Sequence, residues 1–326
     1  MRQTSHHMRG AADQKQCDGA GPRRASVRRA GVLLVALASL LAGGTAPVLA
    51  EAGTAPGPEP ERGAQAYAPR YIQAQADAHG EDPRDEGAEI FQGRAFDTCV
   101  APTQSTMRAW RASPYRGVGV YVGGRGRACP VQPNLDPAWV EGVTSMGWRL
   151  LPLYVGSQAP CVHAERKRRY AIDSRDPAGA GVREGRDAVA QARALGMREK
   201  SPVYLDMEAY DIRDAACART TLRFIQGWNR EVRRLGYLPG FYSSATSGVT
   251  HLEEARAAGV QDLPAVMWFA RWNTAPDLRG EPALAPGAWQ PHRRVHQYRG
   301  NVRETYGGRT VQIDRNLVDA PVAIVG

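Results

Sequence analysis

Lysine is almost missing from this 326-residue chain: Lys15, Lys167 and Lys200 are all there are, and arginine supplies the rest of the positive charge. The net charge of +9 is therefore a poor witness for phosphate binding, because Arg23, Arg24, Arg28 and Arg29 all precede an apolar run near the start. The run Arg166-Lys167-Arg168-Arg169 has no interleaved aromatics and no nucleic-acid motif around it, so it reads as a solvated loop face and no nucleic-acid partner is expected. No CxxC pair is present, which argues against zinc. His163, His251, His292 and His296 are scattered without ligand spacing and are expected to be structural or exposed. Ser243-Ser244 lacks the frame of a nucleophile elbow. Gly123-Gly124-Arg125-Gly126 has neither the Lys-Ser/Thr of a P-loop nor the order of a dinucleotide site. These absences leave no metal and no cofactor to expect.

Long hydrophobic runs are missing too. Gly31 to Leu41 is apolar but is soon interrupted by Gly43, Gly44 and Pro47, short of the roughly 20 residues a membrane span needs. Following Arg28-Arg29 and ending in Val48-Leu49-Ala50, it reads as an export signal over residues 1–50, by the general secretory or the twin-arginine route. The expected product is secreted or cell-wall associated and keeps no stable membrane span. Residues 51–92, with stretches such as APGPEPERGAQ and HGEDPRDEG, read as a flexible Pro/Gly/Ala-rich linker. Beyond the leader the chain keeps four cysteines, Cys99, Cys129, Cys161 and Cys217, and an even number in an oxidising compartment predicts two disulfides with three possible connectivities.

What remains is ordinary globular sequence, 43% hydrophobic and 23% charged. Strand patterns at Gly93–Thr98, Gly117–Val122, Leu150–Val155, Pro202–Met207, Tyr237–Tyr242, Ala265–Phe269, Arg294–Tyr298 and Val311–Ile313 alternate with helical ones. Asp136-Pro137 opens one helix as cap and first turn, and Leu222, Ile225, Trp228, Val232 and Leu235 recur at helical spacing in another. About eight strands alternating with helices in one segment predict an α/β fold, a single (β/α)8 barrel of the TIM type over residues 93–326, regular or not. Trp110, Trp139, Trp148 and Trp228 are expected in the core, and a monomer is expected.

Tyr204-Leu205-Asp206-Met207-Glu208 is the strongest local signal. Two acids one residue apart on a strand face the same side, with Cα atoms roughly 6 to 7 Å apart. At the C-terminal end of a barrel strand that side is the mouth. Asp97 ends the first strand pattern and Asp314 the last, and a closed barrel makes those strands neighbours. Asp97, Asp206, Glu208 and Asp314 are thus expected to ring one mouth, where crowding raises some carboxyls enough to act as acids near neutrality. Tyr121, Tyr154, Tyr242 and Trp268 end other strands and suit sugar faces, with Gln297 as a hydrogen-bonding partner.

The ordered series AFDTCVAPT, GVYVGG, LLPLYVG, VYLDMEAYD, GFYSS, MWFARW, HQY and IDRN resembles the actinobacterial glycoside-hydrolase-like family known as domain of unknown function 1906, over about residues 93–326. That family is similar to glycoside hydrolase family 25, the Chalaropsis-type lysozymes, whose strand-end acids match Asp97, Asp206, Glu208 and Asp314 with Asn316. The resemblance implies Glu208 as general acid, Asp206 as transition-state stabiliser or guide of an N-acetyl group, and Asp97, Asp314 and Asn316 as tuning and holding residues. It implies cleavage of a β-1,4-linked cell-wall glycan, or recognition of such a glycan by a barrel with little or no turnover. The four-cysteine pattern belongs to the hydrolase-like family, and its simplest pairing is Cys99 with Cys129 and Cys161 with Cys217.

Overall fold

The computed structural model describes residues 81–326, so the expected export signal and the expected linker up to residue 80 lie outside the described residues. Eight strands close into a barrel in sequence order: β1 (Glu89–Asp97), β2 (Tyr115–Gly123), β3 (Arg149–Tyr154), β4 (Pro202–Asp206), β5 (Leu238–Ser244), β6 (Val266–Ala270), β7 (Arg294–Tyr306) and β8 (Arg309–Val322). The helices outside them are α1 (Gln104–Ala109), α2 (Pro137–Ser145), α3 (Pro177–Ala194), α4 (Ala215–Arg234) and α5 (Thr250–Ala257). Their starts follow local chemistry. Asp136 accepts from the Trp139 N–H at 2.7 Å with Pro137 in the first turn, and Thr103 caps α1 through the Thr106 N–H.

Neighbours from β1 through β7 run parallel. The expected alternation of strand and helix stops after β6. Among the described residues no helix joins β6 to β7, and β8 runs antiparallel to both β7 and β1. The cause is Gly307-Gly308, both at positive φ, which make the two-residue reversal of a hairpin between the paired Tyr306 and Arg309. The outer part of this hairpin folds against the turn that follows α1, where Tyr306 meets the Trp110 ring edge-on and the Trp110 indole N–H donates to the Arg309 carbonyl at 2.8 Å. β8 is much longer than the expected Val311–Ile313, and β1 starts at Glu89, ahead of the expected Gly93, because residues 89–92 pair with β8.

The barrel separates two apolar layers. Ala95, Leu151, Leu153, Tyr204, Val266, Trp268, Val295 and Val318 fill its interior. A larger layer between strands and helices holds Trp110, Trp139, Trp148 and Trp228, all buried as expected. Two disulfides lie at the C-terminal end of the parallel strands, in the pairing expected as the simplest: Cys99–Cys129 joins two loops, and Cys161–Cys217 joins a loop to the first turn of α4. At the opposite end lies the N-terminal segment, held by Arg293, whose Nη2 donates to the Glu81 carbonyl at 2.8 Å.

Candidate active site

Side chains alternate along a strand, so Ala95 and Asp97, Gly119 and Tyr121, Tyr204 and Asp206, and Val295 and Gln297 all point into the barrel. The interior near the C-terminal end of the parallel strands is consequently polar, over an apolar plug. Asp97 and Asp314 are direct partners in the β1–β8 register. Asp314 reaches this end because β8 is antiparallel and passes the mouth early in its course; it does not terminate a strand as the sequence pattern predicts. Gly119 leaves the room this requires, since a Cβ there would sit 2.7 Å from the Asp97 Cβ and 3.1 Å from the Trp268 ring.

Asp97, only 2% exposed, is held by three donors. Its Oδ1 accepts from Gln297 Nε2 at 3.0 Å and Asn316 Nδ2 at 2.7 Å, and its Oδ2 from the Tyr121 hydroxyl at 3.3 Å. The two amides are fixed in turn. Gln297 Oε1 takes the Tyr242 hydroxyl at 3.0 Å and the Trp272 indole N–H at 2.8 Å, while Asn316 Oδ1 takes the Trp268 indole N–H at 2.9 Å. Their NH2 groups are thereby turned toward Asp97. Burial pushes Asp97 up to about 6 even so, with the donors pulling the other way.

Asp206 is treated differently. It is 6% exposed, and its Oδ1 is buried with no hydrogen-bond partner among the described residues. Burial first, then the charges of Glu208 and Asp97 against that of Lys167, push it up to about 8. Asp314 is also pushed to about 8, by burial and by Asp97, although its Oδ1 accepts from the Asn301 N–H at 2.5 Å. Three crowded, largely dehydrated acids thus retain protons well above the ordinary carboxylate range.

Glu208 lies just past the end of β4, half-buried, and its Oε1 is 3.4 Å from the Lys167 ammonium. Lys167 is 4% exposed and also donates to the Gly126 carbonyl at 2.9 Å. This corrects the reading of Arg166 to Arg169 as one solvated face: the lysine of that run turns inward. A second residue the sequence did not disclose is Gln158, which is fully buried. Its Nε2 donates to the Asp206 carbonyl and its Oε1 accepts from the Glu208 N–H, each at 2.9 Å, so it clamps the backbone between the paired acids. Gln158 and Lys167 belong to one loop, which folds back on itself through Gln158 and Ala171 and pairs with Tyr210 through Val162.

The expected aromatic partners divide. Tyr121 and Tyr242 face the mouth, half-buried, and touch its network. Tyr154 does not join them. It has the opposite parity to Leu153, lies in the outer layer and donates to Asp187 Oδ2 on α3 at 2.7 Å. Trp268, Gln297 and Asn316, at 1%, 2% and 0% exposure, support Asp97 from beneath and present no free surface to a ligand. A groove of about 820 Å³ lined by Pro137, Arg193, Tyr237 and Gly326 opens at the other end of the barrel, away from the acids.

A family model described as Rv2525c-like, glycoside hydrolase-like domain matches residues 108–318. No curated protein matches the chain. Among solved structures, the Tat-secreted protein Rv2525c of Mycobacterium tuberculosis, in complex with L-tartrate, is 18% identical with a TM-score of 0.48, over 71% of this chain and 99% of that one. A B. stearothermophilus protein is 21% identical, TM-score 0.44, over 69% and 95% of the two chains. The catalytic domain of endolysin ply40 from Listeria monocytogenes bacteriophage P40 is 14% identical, TM-score 0.42, over 70% and 93%. The family model spans well over half of the sequence and takes in Asp206, Glu208 and Asp314, so the chain belongs to the Rv2525c-like, glycoside hydrolase-like domain family.

Proposed function

We propose that this protein is an exported glycoside hydrolase that cleaves a β-1,4-linked cell-wall glycan. The observation that carries the reading is the convergence of Asp97, Asp206, Glu208 and Asp314 on one end of a closed barrel, in a chain whose family is named for its likeness to glycoside hydrolases. Hydrolysis of a glycosidic bond needs one carboxyl that still holds its proton and another that is charged. Burial and mutual repulsion separate the acids of this mouth in that way. Tyr121 and Tyr242 beside them offer ring faces and hydroxyls to a sugar. Export is supported by the two disulfides, which persist in oxidising compartments.

The test is reducing-end release, with mass analysis of the muropeptides, from purified peptidoglycan treated with the protein from Glu51 onward. Glu208→Gln and Asp206→Asn are each expected to lower the rate by about a hundredfold or more while glycan binding persists. Saturable binding by the parent with no new reducing ends, on several envelope glycans between about pH 4 and 8, would replace the hydrolase with a glycan-binding module.

A further inference from the structure

The turn Gly123-Gly124-Arg125-Gly126 has no phosphate-loop chemistry, yet the packing requires its glycines. A Cβ on Gly124 would sit 2.2 Å from the Val155 carbonyl oxygen, and one on Gly126 would sit 2.6 Å from that of Gly156. The turn therefore lies against the residues that follow β3, where the Gly126 N–H donates to the Val155 carbonyl at 2.8 Å. Its far side is tied down by the Cys99–Cys129 disulfide. The residue these restraints deliver is Arg127. Its Nε donates to the Gly124 carbonyl at 3.1 Å and its Nη1 to the carbonyl of Tyr121 at 3.3 Å, the tyrosine whose hydroxyl meets Asp97. The Gly126 carbonyl accepts from Lys167, which lies 3.4 Å from Glu208. Arg127 is thus placed at the rim of the mouth, tied to Tyr121 directly and to Glu208 through Gly126 and Lys167.

The half-buried guanidinium is fixed by backbone carbonyls alone. Among the described residues no carboxylate lies within ion-pair distance of it and no acceptor meets its Nη2, so donors are held ready beside the acids. Arginines on the helices have found carboxylates: Arg186 and Arg234 share Glu231, and Arg256 holds Glu253. Within the same turn, Arg125 is matched by Glu184 at 3.7 Å. The rim carries further positive charge on the loop that brings in Lys167. Arg169 lies over the Tyr170 ring at 4.8 Å, and Arg168 is exposed without a carboxylate partner among the described residues. A guanidinium matches a carboxylate in shape as well as in charge and binds it through two parallel hydrogen bonds. A mouth walled by acids repels an anionic polymer unless a cation beside them receives its charge.

We propose that Arg127 is a carboxylate-binding residue of the substrate site and that the polymer taken by this mouth is an anionic glycan. The sugar backbone crosses the acids, and a carboxylate that it bears lies on the Arg127 guanidinium, within the positive field of Arg168 and Arg169. This rests on the proposed glycan substrate and adds the sign of its charge. Two carboxylates of envelope polymers have the same chemistry: one belongs to a peptide stem attached to the sugar, the other to a uronic acid in the chain itself. A neutral β-1,4 glycan meets the acids and leaves the arginine unused. The part played by Arg127 is recognition, and it makes no bond to the reacting atoms.

The test is binding, followed by calorimetry on Glu208→Gln so that no strand is cut. The probes are soluble peptide-bearing peptidoglycan strands, a uronic-acid oligosaccharide, each of these with its carboxyls converted to amides, and a neutral chitooligosaccharide. At least one charged probe is expected to bind about tenfold or more tightly than its own amide, and whichever shows the larger preference names the source of the carboxylate. Adding Arg127→Gln is expected to abolish that preference and to leave the affinity for the chitooligosaccharide within about twofold. Arg127→Lys is expected to restore only part of it, because an ammonium keeps the charge and lacks the planar pair of donors. Raising salt from about 50 to about 300 mM is expected to weaken the preferred charged probe, and to weaken it less in Arg168→Gln. If neither charged probe is bound more tightly than its amide, a comparison that needs no change at Arg127, the proposal is overturned. A fall for neutral and charged probes alike in Arg127→Gln would also overturn it, as the mark of a residue that only fixes the Gly124 and Tyr121 carbonyls. Absence of reducing-end release by the parent, with the preference for a charged probe intact, would sink the hydrolase reading and leave the carboxylate site standing.

Discussion

Asp206 shows what burying an acid in this mouth costs the fold. Its proton is held more tightly in the folded chain, where burial pushes it to about 8, than in the unfolded chain, where an aspartate titrates near 4. The folded state therefore binds the extra proton between those values. The contribution of Asp206 to stability is complete below the unfolded value and is lost as pH rises through the folded one. Asparagine has nearly the same shape and never ionises. Asp206→Asn is expected to match the parent near pH 4 and to exceed it by on the order of 2 kcal/mol at pH 8, with relaxation of the site allowed for, in urea unfolding followed at both values. A difference of equal size at the two pH values would mean that ionisation at this position carries no folding cost. The same variant is expected to lose turnover, so stability and activity should move in opposite directions.

Among the elements, the loop between β3 and α3 matters most to the site, since it delivers Gln158 and Lys167 and is stapled by Cys161–Cys217. Replacing both cysteines by alanine is expected to cost about 2 to 4 kcal/mol in the urea midpoint. It is also expected to lower reducing-end release at temperatures where the variant remains folded, because Lys167 then loses its fixed approach to Glu208. Retained activity in a destabilised variant would show that the segment 165–170 holds Lys167 without the staple. The parallel part of the fold was legible because each buried strand is a short apolar run set off by glycine, proline or a cap, and because Asp206 at the end of β4 and Glu208 just past it stand two apart. Other features were hidden for identifiable reasons. Leu150-Leu151-Pro152-Leu153-Tyr154 is apolar on both faces, so nothing in it says which side Tyr154 takes. The reversal of β8 was written in Gly307-Gly308, two residues between strand-forming runs, a signal masked by the expectation of regular alternation. Lys167 carried a faint mark as a lysine amid arginines, and Gln158 carried none, since a buried amide beyond a strand end resembles any loop glutamine.

At the scale of the molecule, the acids occupy one end of the barrel and both ends of the described chain occupy the other. Residues 81–88 lie against the start of β7, and the C-terminal segment pairs beside β4, where the Arg198 N–H donates to the Ile324 carbonyl at 2.8 Å. The described chain therefore begins at the end opposite the mouth, which leaves the mouth clear for the proposed action on a surrounding polymer. Its first residues are part of the fold. Arg293 is 1% exposed and finds its partners in the Glu81 carbonyl, the Ala265 carbonyl at 3.3 Å and the Glu86 carboxylate at 3.7 Å. A chain started at Glu81 keeps these contacts, whereas one started at Glu89 keeps every strand but leaves the Arg293 guanidinium with the Ala265 carbonyl alone. The shorter chain is expected to lose about 2 kcal/mol or more in urea unfolding, and Arg293→Met in that background is expected to restore part of it by removing the unpaired charge. If the two chains unfold at the same urea concentration, the segment 81–88 is dispensable and the barrel is complete from β1 onward.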